Sequence, residues 1–96
     1  MLRRRLAKSV LEVLNSLGST LSYEYLSREL SKSGIHGPIH IEIQSEGGWS
    51  WVGLERDGQI STIQFSPNEV SKPPQRGMKR DILDSLVRNF VANSGA

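Results

Sequence analysis

The amino-acid sequence predicts a small α+β domain: a two-layer sandwich, in the order α-α-β-β-β-α, with helices packed on one face of a three-stranded antiparallel meander. Three observations predict it. Residues 38–65 are β-patterned and are broken by two short glycine turns, Gly47-Gly48 and Asp57-Gly58. Apolar stripes at helical spacing stand before and after that stretch. The stripes and one apolar sheet face each need a partner to leave water, and packing them together satisfies all of them.

Ninety-six residues suit one domain spanning 1–96, with 93–96 expected to fray. Composition is that of an ordinary soluble protein, 36% hydrophobic and 23% charged. No apolar run reaches the roughly 18 residues that a membrane span needs. Cysteine is absent, which excludes disulfides, thiol chemistry and thiolate metal sites. The net charge of +2 permits anionic partners without demanding them.

The first helix is expected over Leu2–Leu17, where Leu2, Leu6, Val10, Val13, Leu14 and Leu17 form one stripe and Gly18 is the stop. Its start, with Arg3, Arg4, Arg5 and Lys8 and no acid before Glu12, also has the look of an organelle transit peptide. The unbroken apolar period favours the first turns of a folded helix. The expected compartment is cytoplasmic, with organelle targeting left open by the arginine-rich start. A second helix is expected over Leu21–Lys32, capped by Ser19 or Ser22, with Tyr23, Leu26 and Leu30 as its seam, Tyr25 beside it and Gly34 ending it. Pro38 opens the sheet.

The turns dictate the meander's register. An Asp57-Gly58 turn sets Arg56 opposite Gln59, Leu54 opposite Ser61 and Val52 opposite Ile63. A Gly47-Gly48 turn sets Glu46 opposite Trp49, Ile43 opposite Val52 and Ile41 opposite Leu54. The two agree: one face collects Ile39, Ile41, Ile43, Val52, Leu54, Ile63 and Phe65. The other collects His40, Glu42, Gln44, Trp49, Trp51, Gly53, Glu55, Ile60, Thr62 and Gln64. A slip of one residue in either hairpin mixes the faces. After Phe65, the Ser66 to Glu69 spacing suits a capping box, while Pro73-Pro74 allows no more than one turn, so 67–76 reads as a surface loop. The third helix is expected over Arg76–Ala92, with Met78, Ile82, Leu86 and Phe90 as its stripe, flanked by Leu83, Val87 and Val91.

Two surfaces stand out. Arg3, Arg4, Arg5 and Lys8 crowd the start of the first helix; Arg76, Lys79 and Arg80 crowd the start of the third. A helix start carries partial positive charge, so each cation there costs about 0.3–1 kcal/mol. The same arrangement cradles phosphate well. These seven residues are the expected nucleic-acid-binding set, for DNA or RNA. A solvated face or an anionic lipid surface accounts for the same charges. The second surface is the open sheet face, where Trp51 lies between Gln44 and Gln64 and Trp49 sits at the hairpin end. Glu42 and Glu55 on that face oppose phosphate, which favours a protein partner or a homodimer seam over base stacking.

The layout of helix, three-stranded meander and helix with a basic start, together with Gly37-Pro38-Ile39-His40, resembles that of the double-stranded-RNA-binding domain. This chain departs from the family in three ways: its Gly-Pro-x-His opens the first strand, the spacing to Lys79-Arg80 is longer, and the first helix is extra. The likeness is therefore one of layout and not of membership. The stretch Leu21–Leu30 also has the pattern of a helix-turn-helix first helix, but Gly34, Gly37 and Pro38 leave no room for a recognition helix. A degenerate winged helix, with the Asp57-Gly58 hairpin as wing, remains as an alternative. His40, Glu42 and Glu55 share a face but lack the full ligand set of a zinc site, and no nucleophile accompanies them. The expectation is a non-enzymatic binding module with no cofactor and no metal.

Overall fold

The computed structural model describes residues 6–94. Its elements are α1 (Val10–Asn15), a 3₁₀ turn (Ser16–Gly18), α2 (Thr20–Ser31), β1 (His40–Glu46), β2 (Trp49–Arg56), β3 (Gln59–Phe65), α3 (Pro67–Ser71) and α4 (Met78–Ser94). The fold is α+β, with the three strands in the order β1-β2-β3. No described helix is long and apolar enough to cross a membrane.

The first helix begins later than its apolar period suggests. Ser9 is extended, and α1 starts at Val10. A helix running through from Leu6 would give the Val10 N–H to the Leu6 carbonyl. That N–H instead donates to the carbonyl of Lys72 at 2.8 Å, while the Lys8 N–H donates to the Glu12 carboxylate at 3.1 Å. Leu6 is accordingly 83% exposed and outside the core. Leu2, Arg3, Arg4 and Arg5 lie outside the described residues. The continuous helix that argued for a folded start is therefore absent over residues 6–9. From Val10 onward the stripe holds: Val10, Val13, Leu14 and Leu17 are buried.

Ser19 caps α2, its hydroxyl accepting from the Ser22 N–H at 3.3 Å. Leu26 and Leu30 are buried along its seam, as is Ser22. At the far end the Ile35 N–H donates to the Leu30 carbonyl and the Gly34 N–H to that of Ser31. With Gly34 at φ +78°, this is a Schellman ending, and it folds Ile35 back onto the core.

The sheet register is the one the turns dictate, pair for pair. Both turns hold positive φ at both central residues, Gly47 (58°) with Gly48 (86°) and Asp57 (52°) with Gly58 (81°). That is the type I′ geometry, whose twist matches the flanking strands. On the helix side Ile41, Val52, Leu54 and Phe65 are buried, and Ile39, Ile43 and Ile63 are half-buried.

Polar residues complete this face. Ser61 Oγ donates to the Leu86 carbonyl at 2.9 Å, and Gln59 Nε2 donates to the Phe90 carbonyl at 2.7 Å. Two residues along a strand span about 6.8 Å and four along a helix about 6 Å, so the two donors meet two acceptors in register. At the other edge, the Tyr23 hydroxyl accepts from the Ile41 N–H at 3.0 Å, joining α2 to β1.

Ser66 and Glu69 form both halves of the capping box, with Pro67 in the first helical turn, and α3 is the single turn that the prolines allow. The third helix of the sequence is α4. It begins at Met78, two residues later than expected, because Arg76-Gly77 form a turn with Gly77 at φ +79°. Ile82, Leu83, Leu86 and Phe90 are buried. The helix runs through Asn93 and Ser94, which the sequence suggested would fray; Ser94 Oγ donates to the Val91 carbonyl at 2.9 Å.

Candidate functional site

The starts of α2 and α4 converge. Lys79 Nζ lies 3.5 Å from Ser19 Oγ, the cap of α2. Between the two helices runs an open groove of about 480 Å³, lined by Arg28, Lys79 and Arg80 together with Tyr25, Leu21 and Gly77. Leu21 stands 74% exposed at its rim. Tyr25 organises the cations. The guanidinium carbons of Arg28 and Arg80 each sit 5.7 Å from its ring centroid, within cation–π range. Its hydroxyl donates to the Asp84 carboxylate and accepts from Arg80 Nε at 3.4 Å. The bond to Asp84, more than burial, holds the phenol proton on and raises the Tyr25 pKa above its ordinary value. The same contact with Tyr25 raises the Arg80 pKa, so Arg80 stays cationic at any physiological pH.

Of the seven expected phosphate-binding residues, Lys79 and Arg80 line this groove. Arg76 is exposed in the turn just ahead of Gly77. Lys8 is exposed before α1. The neighbouring Val10 lines a different groove, with Lys72, Met78 and Asp81, on the other flank of the first turn of α4. Lys8 therefore does not join the Arg28 groove. Arg3, Arg4 and Arg5 fall outside the described residues. Sequence reasoning missed Arg28. Its signal was the three-residue step from Tyr25, which puts both on one helix face, but the partner helix that closes the groove is distant in sequence.

The second surface is the outer sheet face. The register sets Gln44, Trp51 and Gln64 in one cross-strand row, with Trp49 opposite Glu46 and Glu55 between His40 and Ile60. Trp49 is 40% and Ile60 49% exposed, and Trp51 is half-buried. A shallow hollow of about 300 Å³ lies beside Trp51, walled by Glu42, Glu46, Ile60 and Thr62, with Gly53 in its floor. A Cβ on Gly53 would sit 3.2 Å from Ile60 Cδ1, so the missing side chain is what lets Ile60 lie across the strand. Sequence reasoning placed all four expected partner-binding residues, Gln44, Trp49, Trp51 and Gln64, on this face, but it did not see the hollow.

Among the described residues, no group of three or more His, Cys, Asp or Glu is placed to hold a metal ion. Comparison of the chain with protein-family models, curated proteins and solved structures finds no match.

Proposed function

We propose that this chain is a non-enzymatic binding module that contacts nucleic-acid phosphates through the basic groove between α2 and the start of α4. The supporting observation is the convergence on one groove of Lys79 and Arg80, from the first turn of α4, with Arg28, from the last turn of α2, beside an aromatic ring. Helix starts and guanidinium groups both favour phosphate oxygens, and the open shape suits a backbone better than a small enclosed ligand. Binding should be tolerant of sequence, because phosphate contacts position a nucleic acid without reading its bases. Titration with labelled duplex DNA, duplex RNA and single-stranded RNA at two salt concentrations tests this reading. Affinity should fall with a log–log salt slope of about −0.7 to −0.9 per phosphate neutralised. Lys79→Glu with Arg80→Glu should abolish binding, and Trp51→Ala should leave it nearly unchanged. Binding by the double variant equal to that of the parent would discard the groove.

The exposure of Trp49 and Ile60 favours a second reading, in which the outer sheet face is a protein-contact surface. The two readings use opposite layers of the sandwich and are compatible.

A further inference from the structure

The second reading says only that the outer face meets a protein. The distribution of charge says which kind. The strand residues on that face include three carboxylates, Glu42, Glu46 and Glu55, and no lysine or arginine. The chain as a whole carries +2, so this face runs against the balance of the molecule. Glu42 and Glu46 wall the hollow beside Trp51. The capping carboxylate Glu69 accepts from the Ser66 N–H at 2.9 Å and Glu12 accepts from the Lys8 N–H, whereas the structure assigns Glu42, Glu46 and Glu55 no hydrogen bond or ion pair among the described residues.

Three occupants can be weighed. A nucleic acid would bring phosphates against the carboxylates, which repel them. A second copy packed face to face would bring this acidic face against its own copy, with no strand lysine or arginine on either side to pair with the carboxylates. Edge-to-edge pairing along β1 is obstructed where the Ile41 N–H is already taken by the Tyr23 hydroxyl. Three carboxylates with no strand lysine or arginine beside them favour a cationic occupant. A lysine or arginine side chain has an apolar stem for Ile60 and Trp51, a charged head for Glu42 or Glu46, and an attraction for the tryptophan face.

Resting on that second reading, we infer that the outer sheet face docks an extended segment of a partner protein rich in lysine and arginine. One cationic side chain of that segment enters the hollow and lies against Trp51 with its head toward Glu42 or Glu46. Gly53 makes room for it by letting Ile60 lie flat.

The chain's two tryptophans, Trp49 and Trp51, both stand on this face, so intrinsic fluorescence reports on it directly. The probe is a capped peptide rich in lysine and arginine, compared with the same peptide carrying glutamine in place of its cations. The basic peptide should shift tryptophan emission saturably and the glutamine peptide should not. Glu42→Gln with Glu46→Gln preserves shape on an exposed surface and should weaken binding about tenfold or more. Glu42→Lys with Glu46→Lys should lose the basic peptide and gain a glutamate-rich one. Equal affinity of the Gln variant and the parent overturns the inference. So does the absence of any emission change with the basic peptide. Sedimentation equilibrium separates the two levels: self-association that Trp51→Ala abolishes, with no response to peptide, keeps the face as a protein contact and rejects the basic partner. An emission shift on adding single-stranded RNA, again with no response to peptide, rejects both.

Discussion

The two faces of the meander are built by the same three strands, with the same alternation of side chains, and they end in opposite conditions. On the helix side Val52 and Leu54 are fully buried, and the polar residues that share their face, Ser61 and Gln59, find carbonyl acceptors on α4. On the outer side Ile60 is half exposed, Trp49 nearly as much, and the carboxylates face water. Alternation decides which residues share a face. It does not decide which face is covered, because that depends on where the helices find matching stripes. The polar residues mark the difference. Ser61 is tolerated inside because α4 meets it with an acceptor, whereas its neighbour Thr62, pointing the other way, is exposed.

The comparison breaks most readily under truncation. Leu54→Ala removes a fully buried side chain between β2 and the helices and should cost about 2–5 kcal/mol in urea unfolding. Ile60→Ala, two strand positions from the same turn but on the open face, should stay within about 0.5 kcal/mol. A loss at Ile60 approaching that at Leu54 would mean that something covers the outer face in solution.

A smaller effect sharpens the polar part of the contrast. Ser61→Ala deletes one buried donor to the Leu86 carbonyl and should cost about 0.5–1.5 kcal/mol, while Thr62→Ala should be close to neutral. If the two substitutions cost the same by thermal unfolding, the strand-to-helix hydrogen bond contributes nothing net.

The smallest effect lies within the helix layer and concerns pH. Tyr25 keeps its proton longer in the folded state than in the unfolded one, chiefly because it donates to Asp84. A raised folded-state pKa contributes stability that is present below the unfolded tyrosine value and is lost as pH rises through the folded one. Ultraviolet titration should therefore show one of the two tyrosines ionising late, and Asp84→Asn should return it towards the ordinary range. A parent chain in which Tyr25 ionises no later than its ordinary value would argue against the Tyr25–Asp84 contact. Glu69 runs the opposite way. Its pKa is lowered by the Ser66 backbone and hydroxyl, so the α3 cap holds above the unfolded carboxylate value and weakens as pH falls through the folded one.

Much of the fold was legible because its signals are local. Two type I′ turns pin both hairpins, and glycine at Gly47, Gly48 and Gly58 is what positive φ requires. The outer-face set of Gln44, Trp49, Trp51 and Gln64 followed from the same register. The basic groove was only half legible. Lys79 and Arg80 were visible as cations at a helix start, but Arg28 becomes their neighbour only when α2 crosses α4. The start of α1 was misplaced for the same kind of reason. Its apolar period continues to Leu2, and nothing near Val10 in the sequence announces that its N–H will bond to Lys72.

The sequence by itself determined the element order of the core, the strand register, the division of the sheet into two faces, and the Ser66–Glu69 capping-box spacing, while it left the α2 cap between Ser19 and Ser22. Each of these rests on interactions spanning a few residues, or on a turn whose geometry propagates along a strand. Only the tertiary structure decided where α1 begins, which buried hydroxyls find acceptors, which cations share a groove, and that Trp49 and Ile60 stay exposed among the described residues. Those outcomes depend on groups far apart along the chain, and packing alone chooses among the partners that chemistry permits.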